Sequence, residues 1–264
     1  MTRLTSNGVW SIILAGGEGE RTRPFIQQWL GYSKPKQYCT FVGNRSMLQH
    51  TLDRADRLGN PHKKITVVAE NHLPHFKKTF EAQASGKVIL QPQNCDTAAG
   101  IFLPLTYVRA WDPNATVAIF PADHFVFPED RFLETIRRAT RAVQILKDRL
   151  LLLGVRPTHL ELDYGWMNVG GILGWNGSSC LRQVNSFLEK PSPLEGLQAM
   201  SNGALWNTLV MVAKVETLWK LGWQCLPVVM ERFERLATTI GTIHEKPTLH
   251  QLYQKMPQLN FSSE

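Results

Sequence analysis

The chain contains few cysteines, only four in 264 residues, and no two of them form a Cys-x-x-Cys pair. This scarcity argues against a disulfide framework or a cysteine-rich metal site, and it predicts free thiols in a reducing compartment. The sequence also lacks an apolar run of membrane-spanning length, and residues 1–8 lack the apolar core of a secretory signal. We therefore expect a cytoplasmic protein with no membrane partner.

Acidic residues are outnumbered, with 22 against 29 basic residues and a net charge of +7. A basic balance suits polyanionic ligands such as nucleotides and sugar phosphates. The sequence contains no block of Lys and Arg interleaved with aromatic residues, so nucleic acid is not an expected partner. The densest basic cluster comprises Arg137, Arg138 and Arg141, and its helical spacing predicts a solvated helix face.

A glycine-rich loop follows the apolar run at residues 9–14, which is typical of a buried strand. Three glycines in four positions let the backbone approach an anion closely and expose its N–H groups: Gly16, Gly17 and Gly19. Arg21 and Lys36 follow as fixed cations. The spacing fits neither a P-loop nor a dinucleotide-binding loop, so the sequence predicts a triphosphate site of another kind.

Strand and helix patterns alternate through the first half of the chain. Apolar runs predict strands at 9–14, 65–69, 88–90 and 117–120. Amphipathic segments predict helices at 47–58, 72–84, 98–111 and 129–146. This alternation predicts an α/β fold with a mostly parallel sheet, in which ligands lie beyond the carboxyl ends of the strands.

The second half is less regular, and no linker divides the chain, so we expect one domain over residues 1–264. Predicted strands lie at 150–155, 182–188 and 206–212, and a loop or hairpin lies at 164–177. Helical patterns cover 216–236, broken at Pro227, and 248–255. The apolar, tryptophan-rich C-terminal segments would suit a subunit interface, which leaves a homo-oligomer open.

Six segments resemble, in order, the sugar-1-phosphate nucleotidyltransferase family, and they cover nearly the whole chain. They are the glycine loop through Pro24 with Lys-Pro-Lys-Gln at 34–37, then 91–98, 120–124, 164–166, 187–191 and 206–208. The Lys-Pro-Lys-Gln form resembles the mannose-1-phosphate guanylyltransferases within that family. The resemblance implies a Rossmann-like three-layer sandwich of the nucleotide-diphospho-sugar transferase type, with a mixed, mostly parallel sheet.

The same resemblance implies that a sugar 1-phosphate attacks the α-phosphate of a nucleoside triphosphate and that pyrophosphate leaves. GTP and mannose 1-phosphate are the expected pair, and Mg²⁺ is the expected cofactor. Arg21 would bind the β- and γ-phosphates, Lys36 the α-phosphate or the sugar phosphate, and Asp123 the metal. The nucleotide would contact Leu14, Ala15, Gly16, Gly17, Gly19, Gln91, Thr97 and Ala98. The sugar phosphate would contact Gly165, Glu189, Lys190 and Asn207.

Adjacent strand residues point to opposite faces, so Glu189 and Lys190 can both reach the site only from a strand bulge or a strand end. Other positions depart from the family pattern. Arg23 stands where Trp is usual, Cys95 where Arg is frequent and Ala99 where Pro is usual, and Leu209 follows Asn-Thr where glycine is frequent.

The family's second metal-binding aspartate lies in a Trp-x-Asp-x-Gly segment that the sequence lacks. We therefore expect the family's C-terminal part to be missing and transferase activity to be weak or absent. Two alternatives remain open. One is thymidylyl or uridylyl transfer to another hexose 1-phosphate, and the other is a non-catalytic regulatory protein that binds a nucleotide or a sugar nucleotide.

Overall fold

The computed structural model describes residues 8–80, 86–176 and 179–263. An eight-stranded mixed sheet has the strand order β3-β2-β1-β4-β8-β6-β7, and β5 pairs with β8 off this path. The strands are β1 (Trp10–Ala15), β2 (Lys64–Ala69), β3 (Lys87–Gln91), β4 (Thr116–Pro121), β5 (Leu151–Val155), β6 (Gly165–Asn176), β7 (Ser179–Glu189) and β8 (Leu205–Lys214). The helices are α1 (Arg23–Leu30), α2 (Met47–Asp56), α3 (Leu73–Phe80), α4 (Asp96–Trp111), α5 (Glu129–Ile145), α6 (Pro193–Ser201), α7 (Val215–Cys225), α8 (Pro227–Ala237) and α9 (Glu245–Tyr253).

The first four strands form the parallel part of the sheet. β1 pairs in parallel with both β2 and β4, and β2 pairs in parallel with β3. β2 and β4 are buried along their whole length, which explains why their sequences are continuous apolar runs rather than alternating patterns. Because the strands are parallel, the loops that follow β1, β3 and β4 emerge at one edge of the sheet.

α4 is buried on nearly every side, since the sheet covers one face and α7 and α8 pack against another. Phe102, Leu103 and Leu105 have no exposed surface. Gly222 of α7 makes this close packing feasible, because a Cβ atom there would lie only 2.6 Å from the Phe102 ring and from the Met230 sulfur. This packing fixes the start of α4 at the carboxyl edge of the sheet.

The remaining strands are antiparallel. β8 runs against β4, β5 and β6, and β6 forms a long hairpin with β7. Gly165 at the start of β6 pairs with Glu189 at the end of β7, so these two residues lie side by side. The hairpin places two predicted sugar-binding residues at the same end of one strand pair.

The α/β sandwich with a mixed sheet is confirmed, with its parallel part confined to β1–β4. The region predicted as a loop or hairpin forms β6, and the predicted break at Pro227 separates α7 from α8. The helix predicted over 72–84 is observed as α3, with residues 81–84 outside the described ranges. No helix in these described ranges is long and apolar enough to span a bilayer.

Candidate active site

The Lys-Pro-Lys-Gln segment holds the glycine loop in place through Gln37. Gln37 is buried, and its Nε2 donates hydrogen bonds of 2.9 Å to the carbonyl oxygens of both Ala15 and Gly17. Gly19 has a left-handed backbone with φ of 63°, and a Cβ atom there would lie 3.4 Å from the backbone nitrogen and Cβ of Lys36. Glycine at position 19 therefore permits both the turn and the close approach of Lys36.

Lys36 and Asp123, which the resemblance assigns to phosphate and to the metal, are in contact. The Lys36 Nζ atom lies 3.3 Å from Asp123 Oδ2, and both side chains are partly exposed. Lys36 belongs to the short 3₁₀ turn Lys36–Tyr38, and Asp123 follows the end of β4. The structure thus brings a cation and a carboxylate from distant parts of the sequence to one point at the sheet edge.

Arg54 of α2 holds the loop that carries Asp123. Its side chain is only 5% exposed, and its Nη2 donates to the His124 carbonyl oxygen at 2.9 Å and to Thr51 Oγ1 at 2.7 Å. Its Nη1 lies 3.2 Å from Glu129 Oε1. Burial lowers the pKa of the Arg54 guanidinium, and the Glu129 carboxylate opposes that shift. Sequence reasoning missed Arg54, although an arginine on the buried side of an amphipathic helix is itself a signal.

Arg21 links the glycine loop to the segment that leads into β6. Its Nη1 donates a 3.0 Å hydrogen bond to the Asp163 carbonyl oxygen and lies 3.9 Å from the Asp163 carboxylate. Asp163 stands two residues before Gly165, at the start of β6. The Arg21 side chain is exposed, so its guanidinium remains accessible to a phosphate.

Glu18, inside the glycine loop, is bound to the region between β2 and α3. Its carboxylate accepts a 3.0 Å hydrogen bond from Asn71 Nδ2 and lies 3.3 Å from His72 Nε2 and 3.5 Å from Arg23 Nη2. Partial burial would raise the pKa of the Glu18 carboxyl, but the Asn71 hydrogen bond together with His72 and Arg23 lowers it overall. The loop is therefore anchored at Glu18 as well as by Gln37.

Gln91, at the end of β3, is buried directly beside the glycine loop. Gln91 is 3% exposed, and a Cβ atom on Gly16 would lie 3.0 Å from its Oε1 atom. A Cβ atom on Gly17 would meet no atom within 4 Å. The glycine loop thus contacts the amide of Gln91, a predicted nucleotide contact, through Gly16 rather than Gly17.

Gly165, Glu189 and Asn207 converge at the ends of β6, β7 and β8. A Cβ atom on Gly165 would lie 2.9 Å from Glu189 Oε2 and 3.7 Å from Asn207 Cβ. Lys190 follows β7 directly and has a left-handed backbone with φ of 48°. The chain therefore turns immediately after Glu189, which is the strand end that the adjacent pair needs if both residues serve one site.

The C-terminal segment 259–262 covers the start of α4. Thr97 Oγ1 accepts a 2.8 Å hydrogen bond from the Phe261 amide, and the Ala98 amide donates to the Leu259 carbonyl oxygen at 3.1 Å. The expected nucleotide contact at Ala98 therefore meets a competitor, because the Ala98 amide already donates to Leu259. The Thr97 hydroxyl donates to no acceptor among the described residues, so its proton could serve a ligand.

The same segment reaches the sugar side of the candidate site. The Asn207 Nδ2 atom lies 3.4 Å from Ser262 Oγ, while Asn207 Oδ1 accepts a hydrogen bond from the Leu209 amide. Leu209 itself has a left-handed backbone with φ of 56°, the conformation for which glycine is the usual residue. Leucine at this position is thus strained, but the chain still turns there, and Asn207 Oδ1 accepts the Leu209 amide.

Comparisons with known proteins agree with this geometry. Residues 10–226 match the model of the nucleotidyl transferase family. A mannose-1-phosphate guanylyltransferase of Salmonella montevideo is 32% identical over 203 residues, which cover 75% of this chain and 41% of that protein. One from Escherichia coli is 30% identical over 190 residues, which cover 69% of this chain and 38% of that protein.

The chain thus spans about two fifths of the length of these curated relatives. A solved structure described as mannose-1-phosphate geranyltransferase from Thermus thermophilus superposes with a TM-score of 0.79 at 25% identity. The superposition covers 97% of this chain and 70% of that one. The match over residues 10–226, which include all but the tail of the candidate site, shows that the chain belongs to the nucleotidyl transferase family.

Proposed function

We propose that this chain forms the part of a mannose-1-phosphate guanylyltransferase that binds both substrates and transfers the guanylyl group from GTP to mannose 1-phosphate. The observation that carries the proposal is the Lys36–Asp123 contact of 3.3 Å beside the glycine loop. It supports the proposal because a cation that could bind phosphate and a carboxylate that could bind a metal ion lie together beside the loop. The names of the relatives support GTP and mannose 1-phosphate as the pair.

Catalysis of this transfer depends on in-line positioning and charge neutralisation rather than on a covalent enzyme intermediate. Arg21 can hold two oxygens of the β- and γ-phosphates with its planar guanidinium and stay with the leaving pyrophosphate. Lys36 is a mobile point charge, and it can exchange Asp123 for the α-phosphate as negative charge develops there. Both cations start from weak, partly exposed contacts, so a phosphate can compete for them.

Members of this family generally depend on a divalent metal ion. Asp123 fits Mg²⁺, because it is a partly exposed carboxylate at a strand end, and Mg²⁺ takes one or two carboxylates together with phosphates and waters. The described residues contain no group of three metal-ligating side chains. When bound, Mg²⁺ would supply charge neutralisation to the phosphate oxygens, while Arg54 holds the Asp123 loop through the His124 carbonyl oxygen.

Sugar recognition falls to the ends of β6, β7 and β8. Glu189 can accept hydrogen bonds from sugar hydroxyls, and Asn207 can offer its amide from the facing strand. Gly165 lies between them, and a side chain there would force the Glu189 carboxylate to shift, because a Cβ atom would lie 2.9 Å from Glu189 Oε2. Lys190 is assigned to the sugar phosphate.

The test is a pyrophosphate-release assay with Mg²⁺ over GTP, dTTP and UTP, each combined with mannose 1-phosphate and glucose 1-phosphate. We expect turnover, however weak, to be highest with GTP and mannose 1-phosphate and to be lost in Asp123→Asn and Arg21→Gln. Arg23→Gln is the matched control, because Arg23 lies two residues further on, at the start of α1, and its side chain is bound to Glu18. A preference for dTTP or UTP would change the assigned nucleotide, but nucleotidyl transfer would remain the proposed reaction.

A second candidate is a non-catalytic protein that binds a nucleotide or a sugar nucleotide. It is favoured by the Asp123 environment, where the carboxylate faces Lys36 and the described residues offer no further ligands as a group. Calorimetric titration with GTP and GDP-mannose separates the two. Binding that requires Arg21, without pyrophosphate release under any substrate pair, would replace the transferase with a binding protein.

A further inference from the structure

A second cleft lies at the edge of the sheet opposite the candidate active site. It has a volume of about 1400 Å³ and is bounded by the start of β1, the start of β4, the end of β8 and the helices α5 and α7. β1 alone separates the two edges by about 17 Å, at 3.3 Å per residue. The glycine loop therefore lies at one end of the parallel strands and this cleft at the other.

Six cationic side chains and two carboxylates line the cleft. The carboxylates are Asp148 and Glu216, and the cations are Lys63, Arg137, Arg141, Lys147, Lys214 and Lys220. The cluster that the sequence predicts as a solvated helix face thus contributes two arginines to a concave surface. We call this surface the basic cleft.

Ion pairing removes only part of this charge. Lys63 is bound to Asp112 at 3.0 Å, and Arg141 is bound to Glu134 at 3.2 Å. One lining carboxylate is also occupied, because Glu216 Oε1 lies 2.8 Å from Arg109. These contacts leave little negative charge within the cleft itself.

Four of the cations have no carboxylate partner at ion-pair distance among the residues that the structure describes: Arg137, Lys147, Lys214 and Lys220. Lys214 donates a 2.7 Å hydrogen bond to the neutral Gln144, and Arg137 donates to a backbone carbonyl. Partial burial and the nearby charge of Lys147 lower the pKa of Lys214, and the Asp112 carboxylate, which is itself bound to Lys63, opposes that shift. Cations from α5, from the segment that follows α5, from the end of β8 and from α7 thus line one cleft, and none of these four has a carboxylate at ion-pair distance in the described ranges.

We propose that the basic cleft is a second anion site, distinct from the catalytic site, which binds a small molecule with two or more linked phosphate groups. A linked polyphosphate can bridge Arg137, Lys147 and Lys220, which single phosphates could only occupy one by one. The amide groups of Asn114 and Gln224, which also line the cleft, can donate hydrogen bonds to its remaining oxygens.

The lining favours a small ligand over nucleic acid. Single-stranded nucleic acid binds on grooves with aromatic side chains that stack the bases. None of the described residues that line the basic cleft is aromatic. The partly exposed apolar residues there, Leu58 and Leu221 among them, form walls on which a sugar or a base attached to the polyphosphate could pack.

The test is calorimetric titration with inorganic tripolyphosphate in metal-free buffer. We expect two sites in the unmodified chain. The double variant Lys147→Gln/Lys220→Gln should weaken one of them by about tenfold or more and leave the other unchanged. Arg21→Gln should weaken only the other. Lys246→Gln, an exposed lysine on α9, is the matched control and should change neither. Thermal melts confirm that the variants are folded.

A single site that responds to Arg21→Gln and not to the double variant would overturn the proposal. A single site that responds only to the double variant would retain the basic cleft and count against the assignment of Arg21 to the triphosphate. A parallel titration with a single-stranded oligonucleotide, binding more tightly than tripolyphosphate and sensitive to the double variant, would replace the small ligand with nucleic acid and thereby overturn the proposal.

Discussion

Replacing Arg54 by methionine tests whether the Asp123 loop depends on a buried cation. The guanidinium is 5% exposed and binds the His124 carbonyl oxygen, Thr51 Oγ1 and Glu129. Methionine fills much of the space but offers no donor, so these acceptors lose a partner in a partly buried setting.

The expected loss in the free energy of unfolding follows from the groups that Arg54 contacts. Breaking a fully buried ion pair costs about 3–5 kcal/mol. Glu129 is 29% exposed and keeps Arg57 at 3.0 Å, so its share is smaller. We expect the free energy of unfolding to fall by about 2–3 kcal/mol in Arg54→Met. Arg57→Met is the matched control, because Arg57 binds the same carboxylate from an exposed position, and it should cost at most about 1 kcal/mol.

Urea unfolding, followed by circular dichroism, measures both variants, and an unchanged slope with denaturant confirms that the folded state is intact. A second readout separates positioning from stability. Arg54→Met should need more Mg²⁺ for half-maximal pyrophosphate release, or for GTP binding, and Arg57→Met should not. Equal losses of stability in the two variants, or an unshifted Mg²⁺ requirement in Arg54→Met, would refute the role given to Arg54.

Three further predictions concern the glycine loop and the core. Gly16→Ala should weaken nucleotide binding by displacing Gln91, while Gly17→Ala, which has open space, should leave the melting temperature unchanged or slightly higher. Glu18 has a lowered pKa in the folded state, so its contribution to stability is present above its ordinary value of 4.5 and is lost as the pH falls through the lower, folded-state value. The free energy of unfolding of Glu18→Gln should therefore fall less steeply than that of the unmodified chain in acid; identical curves would contradict this. Gly222→Ala should destabilise the fold by about 2 kcal/mol or more in urea unfolding, because two core groups would lie at 2.6 Å.

The parallel half of the fold could be predicted from the sequence because its strands are short, continuous apolar runs between amphipathic helices. α1 and α6 were missed. α1 is short, buries only Ile26 of its eight residues and carries exposed aromatic side chains, so its pattern does not resemble a core helix. α6 does carry a sequence signal, since Ser192 and Glu195 form a capping box around Pro193 at its first turn.

The candidate site likewise contains residues that the sequence could predict and residues that it could not. Arg21, Lys36 and Asp123, to which the proposal gives a direct chemical role, could be named from the family resemblance. Their supports could not, because Arg54 acts on the Asp123 loop through a contact with residues 70 positions away. The engagement of Ala98 by the C-terminal segment was equally invisible, since it is a backbone contact and leaves no residue type to recognise.

The C-terminal segment also bears on when the site becomes complete during synthesis. Phe261 binds Thr97 across 164 positions, and Ser262 meets Asn207 across 55. Such long-range contacts form late, since the loop they close must be ordered first. Because chains are made from the N-terminus at about 5–20 residues per second, the glycine loop can fold against β1–β4 seconds before the start of α4 receives its cover. A nascent chain would thus carry a formed phosphate loop and an open α4 terminus for that interval.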